Sequence, residues 1–516
     1  MIARRQFLGF AAAGAVLGVA GCSSCPGTPA AGAIARPRPA SVTAAAAAKE
    51  FVTAGAVAAP GDKGPFTVAN LLAAPSFFVA HRGSGDNWPE HTMRAYQGAA
   101  AAGLKAIEVS VSATQDGVLV CHHDLNTQRL TGIDLTIARA PYAALEPLRN
   151  DARAWLGPAT PLEPIALLTD VLDAFAASHV IFLEDKPGTN ADEILALLEA
   201  YPAARDHVVW KQPAASRGHE LAAAKGYTTF GYFVARDKDK VPGLIGRTDL
   251  LGVHHTAPEA MIRQMVASGK PVLAWELHRR SEHARLLDLG VRGFICANIR
   301  YVLHQEEPLV ADGFAAGLRA TGDLPWAADA VWDAQPAFAD GAVSISGPDK
   351  SGYVLGSIAG AVDSPDREFE FELRWPAGLP PAGPGAGVSF GQDSDAPYRP
   401  GSASKLSGYS LDVTADGTMT LYRHDAGTPA PVRLAGSGSP APRPGEWMKF
   451  VVSLGPWHIS VRRDGDGDGA NVAADDTRYG GAWLTLLKNY DAGPPVEFRG
   501  VRVRAVAAQE GCGNVG

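Results

Sequence analysis

Three observations predict an α/β chain in which a (β/α)8 barrel of the TIM type is followed by an all-β, jelly-roll-like sandwich. Between about residues 77 and 305, eight short apolar runs alternate with helical stretches. That alternation indicates a parallel sheet, and eight units indicate a closed barrel, here bounded at 76–310. From about residue 318, Gly, Pro and Ser rise and the runs become short and alternating, as antiparallel strands do. The sandwich is bounded at 318–506, with a tail at 507–516.

The N-terminus reads as a targeting segment, 1–21. Arg4-Arg5 precede Phe7-Leu8 and an Ala/Gly-rich apolar run, the pattern of a twin-arginine export signal. The run ends in Val19-Ala20-Gly21-Cys22, which resembles a bacterial lipobox. It implies cleavage before Cys22, lipid attachment to its sulfur, and an exported protein anchored at the cell membrane. Each buried methylene of such an anchor contributes about 0.8 kcal/mol. Residues 22–75, rich in Ala, Pro, Gly and Thr, read as a flexible tether with a short helix near 44–51.

The net charge is −8 and no long Lys/Arg run occurs, which argues against nucleic acid as a partner. Cys121 and Cys296 fall in strand-like runs and read as buried thiols, while Cys25 and Cys512 lie in the tails. The five cysteines make neither a disulfide framework nor a zinc pattern.

The expected barrel strands are 77–81, 107–111, 180–186, 208–211, 229–233, 250–254, 272–277 and 293–296. Helices are expected at 92–102, 167–177, 191–201 and 282–289. Residues 118–123 form an additional strand. Only six residues separate it from Val111, with Asp116-Gly117 between, so it must fold back as a hairpin. That places His123 over the barrel mouth. In the second domain, strands are expected at 369–373, 409–413, 418–423, 448–453, 458–462 and 496–504.

Catalytic groups of such a barrel sit at the C-terminal ends of its strands. His81 ends the first. Glu108 and Ser110 lie two apart on the second, and Glu184 and Lys186 two apart on the third, so each pair shares a face. Arg82 and Lys186 are suited to hold phosphate oxygens. Glu108 and Glu184 supply oxygen ligands for a hard cation, Mg²⁺ or Ca²⁺. Two close carboxylates repel one another without a positive charge between them, a further reason to expect one.

His81-Arg82-Gly83, Pro89-Glu90-His91-Thr92, Glu108-Val109-Ser110, Asp116-Gly117, His122-His123-Asp124 and Glu184-Asp185-Lys186 together resemble the glycerophosphodiester phosphodiesterase family. Trp275-Glu276-Leu277 and Gly290–Ile295 resemble its closing segments. The resemblance covers about residues 77–305, and its specificity lies in the ordered set. It implies a cation-dependent barrel phosphodiesterase acting on a small or lipid-derived phosphodiester. His81 and His123 are then the acid/base pair, Glu108 and Glu184 metal ligands, and Glu90 a nearby supporting acid.

Three departures stand out. Ser110 occupies the position where the family has Asp, and a hydroxyl is a weaker cation ligand than a carboxylate. The site then binds metal loosely, borrows Glu90 or Asp185, or binds none; Asp185 points away from Glu184 on an ideal strand, so Glu90 is the better candidate. His91 replaces an Asn, and Trp275-Glu276-Leu277 departs from Trp-Thr-Val-Asn.

Other signals are weaker. Asp464–Gly469 resembles half a calcium loop, but strand-like flanks favour a solvated hairpin turn. One of His254-His255 should face the barrel mouth, and Trp88, Trp210 and Trp275 are candidates to line it. The sandwich resembles concanavalin-like modules, which implies glycan or envelope binding; an inert spacer fits as well. Two rivals to hydrolysis stand: a weakened barrel that only binds envelope glycan or lipid, and a lyase forming a cyclic phosphate from lysophospholipids.

Overall fold

The computed structural model describes residues 66–325 and 336–506, apart from 363, 365, 398–405, 456–457 and 465–470. The export signal, Cys22, most of the tether with its helix, the Asp-Gly turn beyond Asp464, and the tail lie outside the described residues. Among the described residues, no helix is long and apolar enough to cross a membrane.

Eight parallel strands close a barrel: β1 (Phe77–Ala80), β2 (Ala106–Ala113), β4 (Val180–Asp185), β5 (Val208–Pro213), β6 (Thr228–Phe233), β7 (Leu250–His254), β8 (Val272–Leu277) and β9 (Gly293–Cys296). Pairing of Ala80 with Ile107 closes the ring. The hairpin strand β3 (Leu119–Cys121) runs antiparallel to β2, with Val111 opposite Cys121, as the short connection requires.

Helices pack outside the strands because their apolar residues recur at helical spacing. Leu168, Val171, Leu172 and Phe175 form the buried stripe of Leu168–Phe175, and Ala191, Ile194, Leu195 and Leu198 that of Ala191–Leu198. Met93–Ala101 starts at Thr92, whose hydroxyl accepts from the Ala95 N–H at 3.2 Å.

Inside the barrel, strand parity separates core from site. Phe77, Val79, Phe182, Val209, Phe230, Leu250, Leu273 and Ile295 fill the lower interior in one apolar cluster. Continuing β1, β4, β5, β6 and β8 by two residues on the same face reaches His81, Glu184, Lys211, Tyr232 and Trp275, all at the upper mouth. Gly252 is needed in this packing, because a Cβ there would lie 2.4 Å from the Phe230 ring.

The tether assignment needs correction at its end. Residues 66–75 belong to the barrel: Val68–Ala73 is a helix whose Val68 and Leu71 join the lower core. Its apolar residues are too few to have announced a helix within an Ala-rich stretch.

The second domain is a sandwich of two seven-stranded sheets. One runs, in order, through Asp323–Pro325, Ser351–Leu355, Gly481–Lys488, Ala386–Gly391, Gly408–Val413, Met419–His424 and Val432–Ser437. The other is centred on Arg367–Arg374, between Val496–Ala505 and Met448–Leu454. Along Arg367–Arg374 buried and half-buried residues alternate strictly, placing Phe369, Phe371 and Leu373 between the sheets. The boundary at 318 also moves: Phe314 packs in the sandwich core, and Val310 and Asp312 pair with Val503 and Val501.

The two domains are joined by polar contacts as well as packing. Asp395, from the sandwich, accepts from the backbone N–H groups of Arg280 and Ser281 at 2.6 and 3.0 Å and from the Tyr301 hydroxyl at 3.0 Å. It thereby satisfies the start of the barrel helix Arg280–Asp288. The fully buried Arg279 guanidinium donates to the carbonyls of Asp395 and Pro325.

Candidate active site

A cavity of about 370 Å³ opens at the C-terminal end of the barrel, lined by His81, Arg82, Glu108, His123, Glu184 and Lys186, with Lys211, Tyr232, His254, Trp275 and Glu276. The structure therefore brings together both histidines, both expected phosphate-binding cations and both expected carboxylate ligands. His123 reaches the cavity from the segment after β3, as the hairpin reading requires. Of the three tryptophans, only Trp275 lines this cavity; Trp210 is buried and donates from Nε1 to Gln212 at 3.2 Å, and Trp88 packs on Gly98.

Each histidine carries a carboxylate on Nδ1. His81 Nδ1 is 3.0 Å from Glu276 Oε2. His123 Nδ1 is 2.7 Å from Asp124 Oδ1. With Nδ1–H donated to an acid, Nε2 on the opposite edge of each ring is left for substrate. Burial, reinforced by the Arg82 charge, pushes His123 down to about 4. Burial alone would raise the Glu276 carboxyl, but His81 and His278 outweigh it and hold it well below the usual range.

Arg82 lies in a tight turn with positive φ of 54°. Its backbone N–H donates to Glu108 Oε2 at 2.8 Å, and Nη1 is 3.2 Å from Glu90 Oε1. Its Nε is buried without a protein acceptor. Gly83, next in the turn at φ 80°, permits contact with Ala95, whose Cβ would lie 2.6 Å from a side chain there.

Glu90 is not placed as a cation ligand. It accepts from two guanidiniums: Arg82, and Arg129 at 2.6 and 3.2 Å. Burial disfavours its charge, but the two arginines outweigh that and keep it ionised. Arg129 Nε also donates to Asp124 at 2.6 Å, linking Glu90 to the acid behind His123.

Ser110, Glu184 and Lys211 sit level on three adjacent strands. Lys211 Nζ is 3.0 Å from Glu108 Oε1 and 2.5 Å from Glu184 Oε2. The Ser110 hydroxyl is 3.1 Å from the same two oxygens and donates to one at a time. Glu184 Oε1 accepts from the Tyr232 hydroxyl at 2.8 Å and from Lys186 at 3.3 Å. Burial raises the Glu184 carboxyl, yet Lys211 and Lys186 hold it down at about 2.

All four carboxylate oxygens are thus bonded to protein donors, and an ammonium sits between the two acids. Among the described residues, no group of three or more His, Cys, Asp or Glu is placed to hold a metal ion. Ser110 acts as a hydrogen-bond donor to the acids. Asp185 turns away, as strand geometry dictates, and accepts from the Gly188 and Asn190 N–H groups at 3.2 and 2.9 Å. This donor set does not fit a divalent cation.

Reasoning from sequence missed Lys211, Glu276, Arg129 and Tyr232. The signal for Lys211 was present: a lysine of the inward parity in an apolar strand must have buried acids as partners. Glu276 stood in view as a departure from a pattern, without a role.

Residues 81–300 match the model of the glycerophosphoryl diester phosphodiesterase family. A glycerophosphodiester phosphodiesterase of Caldanaerobacter subterraneus subsp. tengcongensis is 24% identical over 238 residues, 42% of this chain and 92% of that protein. One of Arabidopsis thaliana is 36% identical over 74 residues, 14% of this chain, which spans a fifth of that relative's length (20%). A solved Oleispira antarctica phosphodiesterase, in complex with the product sn-glycerol-3-phosphate, is 22% identical; the match covers 45% of this chain and 98% of that one, with a TM-score of 0.39.

Proposed function

With residues 81–300 forming a domain of the glycerophosphoryl diester phosphodiesterase family, we propose that this chain is an exported, lipid-anchored phosphodiesterase that cleaves glycerophosphodiesters or related phosphodiesters by two-histidine acid/base catalysis. The observation that carries this reading is the pair of imidazoles, each backed by a carboxylate at Nδ1, lining one cavity together with Arg82 and Lys186.

His123, neutral near pH 7 because burial and Arg82 push it down to about 4, accepts the proton of the attacking hydroxyl, from water or from the substrate itself. His81, oriented by Glu276, gives a proton to the departing alcohol oxygen as the P–O bond breaks. The products are a free alcohol and a phosphomonoester. If a substrate hydroxyl attacks, a cyclic phosphate forms first and water opens it in a second step. The Arg82 guanidinium and the Lys186 ammonium, both lining the cavity, oppose the charge that grows on the phosphate oxygens. His254 and Trp275 face the same space and suit contact with the alcohol portion.

The test is phosphorus NMR of reaction mixtures with a glycerophosphodiester. Accumulation of phosphomonoester is expected, with His81→Ala and His123→Ala each lowering the rate about 10²–10⁴-fold. A cyclic phosphate as the sole end product would turn the assignment to a lyase. Full turnover in either mutant would reject the mechanism.

Export and anchoring rest on Arg4-Arg5, the apolar run and Cys22. Cys22→Ser should move the protein from the membrane to the soluble fraction. The sandwich is proposed to hold the barrel near envelope glycan; a glycan-array screen that finds no ligand would leave it a spacer.

A further inference from the structure

The two acids expected to grip a cation instead grip a lysine. Lys211 Nζ, Ser110 Oγ, Glu108 Oε1 and Glu184 Oε2 form a closed four-atom cluster with edges of 2.5–3.1 Å. The outer carboxylate oxygens are held by the Arg82 N–H, the Tyr232 hydroxyl and Lys186. A divalent cation placed between the acids would have to expel the ammonium. The displaced ammonium would lose the two carboxylates that hold it. It would also face Arg82 and Lys186 across a cavity already lined by cations.

The arrangement balances without a metal. Glu108 and Glu184 are each only 1% exposed, and two buried carboxylates side by side both stay ionised only with a positive charge beside them. Lys211, 8% exposed, supplies it from the neighbouring strand at fixed register, and it also lines the cavity. Its ammonium has three protons and bonds two acids, and it also lies 5.1 Å from the centroid of the Tyr232 ring at the cavity wall.

We propose that Lys211 stands in for the divalent cation: it ties Glu108 to Glu184, presents a fixed positive charge to the substrate phosphate, and makes phosphodiester cleavage independent of added metal. This rests on the phosphodiesterase reading above, and the experiment separates the two.

The full chain, passed through chelating resin, is assayed on a glycerophosphodiester with EDTA, with Mg²⁺ and with Ca²⁺, and each cation is titrated into it by calorimetry. Rates are expected to agree within about twofold across all three conditions, with no binding at millimolar Mg²⁺ or Ca²⁺. Lys211→Ala should lower the EDTA rate about 10²-fold or more. The double variant Ser110→Asp/Lys211→Ala should gain cation binding in the calorimeter and, with it, a rate that EDTA removes. Loss of wild-type activity in EDTA with recovery in either cation, or stoichiometric cation binding to wild type, overturns the proposal. Inactivity under every condition rejects the phosphodiesterase reading instead; wild-type calorimetry still decides the role of Lys211, whether or not the variants fold.

Discussion

Glu276 Oε2 lies 3.0 Å from His81 Nδ1, and this contact fixes which nitrogen of His81 faces the cavity. Behind it the acid is itself braced. His278 Nε2 is 3.7 Å from Glu276 Oε1, while His278 Nδ1 is 2.6 Å from Asp86, which is 3.2 Å from Arg319. Burial opposes the charge on His278, but Asp86 outweighs it and holds the imidazole well above its ordinary value.

Glu276→Gln keeps the shape and removes the charge. It is expected to lower kcat about 10–100-fold with KM little changed, because His81 loses its fixed tautomer without losing a substrate contact. The pH profile of kcat should shift as well. Steady-state kinetics across pH checks this, and an unchanged kcat and profile would remove the orienting role.

The barrel was legible in the sequence because its information is local. Each strand is an apolar run, each helix a period, and parity along Glu108-Ser110 and Glu184-Lys186 reports which side chains share the mouth. What lay hidden was pairwise. Nothing local to Lys211 shows that Glu108, 103 residues earlier, is its partner, and Glu276 meets His81 only because β1 and β8 flank β9 in the closed ring. In the sandwich, Ala386–Gly391 was missed for a different reason. Gly387 sits where a Cβ would lie 2.0 Å from the Leu411 carbonyl, so close strand approach demands the residue that makes the run look like a loop.

His123 sets an acid limit on turnover. Burial and the Arg82 and Lys186 charges push it down, Asp124 and Glu90 oppose them, and the balance lies at about 4. As the base it must be unprotonated, so kcat/KM should hold steady down to about pH 5 and fall tenfold per unit below about 4. Arg82→Met removes the leading positive charge and should move that limb to higher pH, whatever its effect on the maximum. NMR titration of the His123 ring in both proteins provides the check; identical midpoints would refute the electrostatic account.

Glu90 is a structural acid at the edge of the site. Replacing it with Ala leaves the Arg82 and Arg129 guanidiniums facing one another in a buried position. Removing one partner of a buried ion pair costs about 3–5 kcal/mol. Urea unfolding of Glu90→Ala should show a loss of that order, accompanied by weaker substrate binding as Arg82 shifts. A change under about 1 kcal/mol would mean that water reaches the pair and screens it.

Asp323, on the edge strand of the sandwich, is buried at a cost that depends on pH. It is 1% exposed; Oδ1 accepts from the Ser357 hydroxyl at 2.6 Å, and Oδ2 is buried with no partner. Burial raises its carboxyl to about 7, and the Ser357 bonds and Arg319 only partly offset this. A carboxyl whose folded value lies above its unfolded one stabilises the fold while protonated, so the contribution is complete below about pH 4. It is lost as pH rises towards and through 7. Three units correspond to about 4 kcal/mol at most. Asp323→Asn cannot ionise and should be more stable than wild type at pH 8, while the two converge at pH 4. Paired urea titrations at both pH values read the difference directly, so other titrating groups cancel. A gap between the proteins that is the same at pH 4 and pH 8 would mean Asp323 stays charged in the fold, with water reaching its Oδ2.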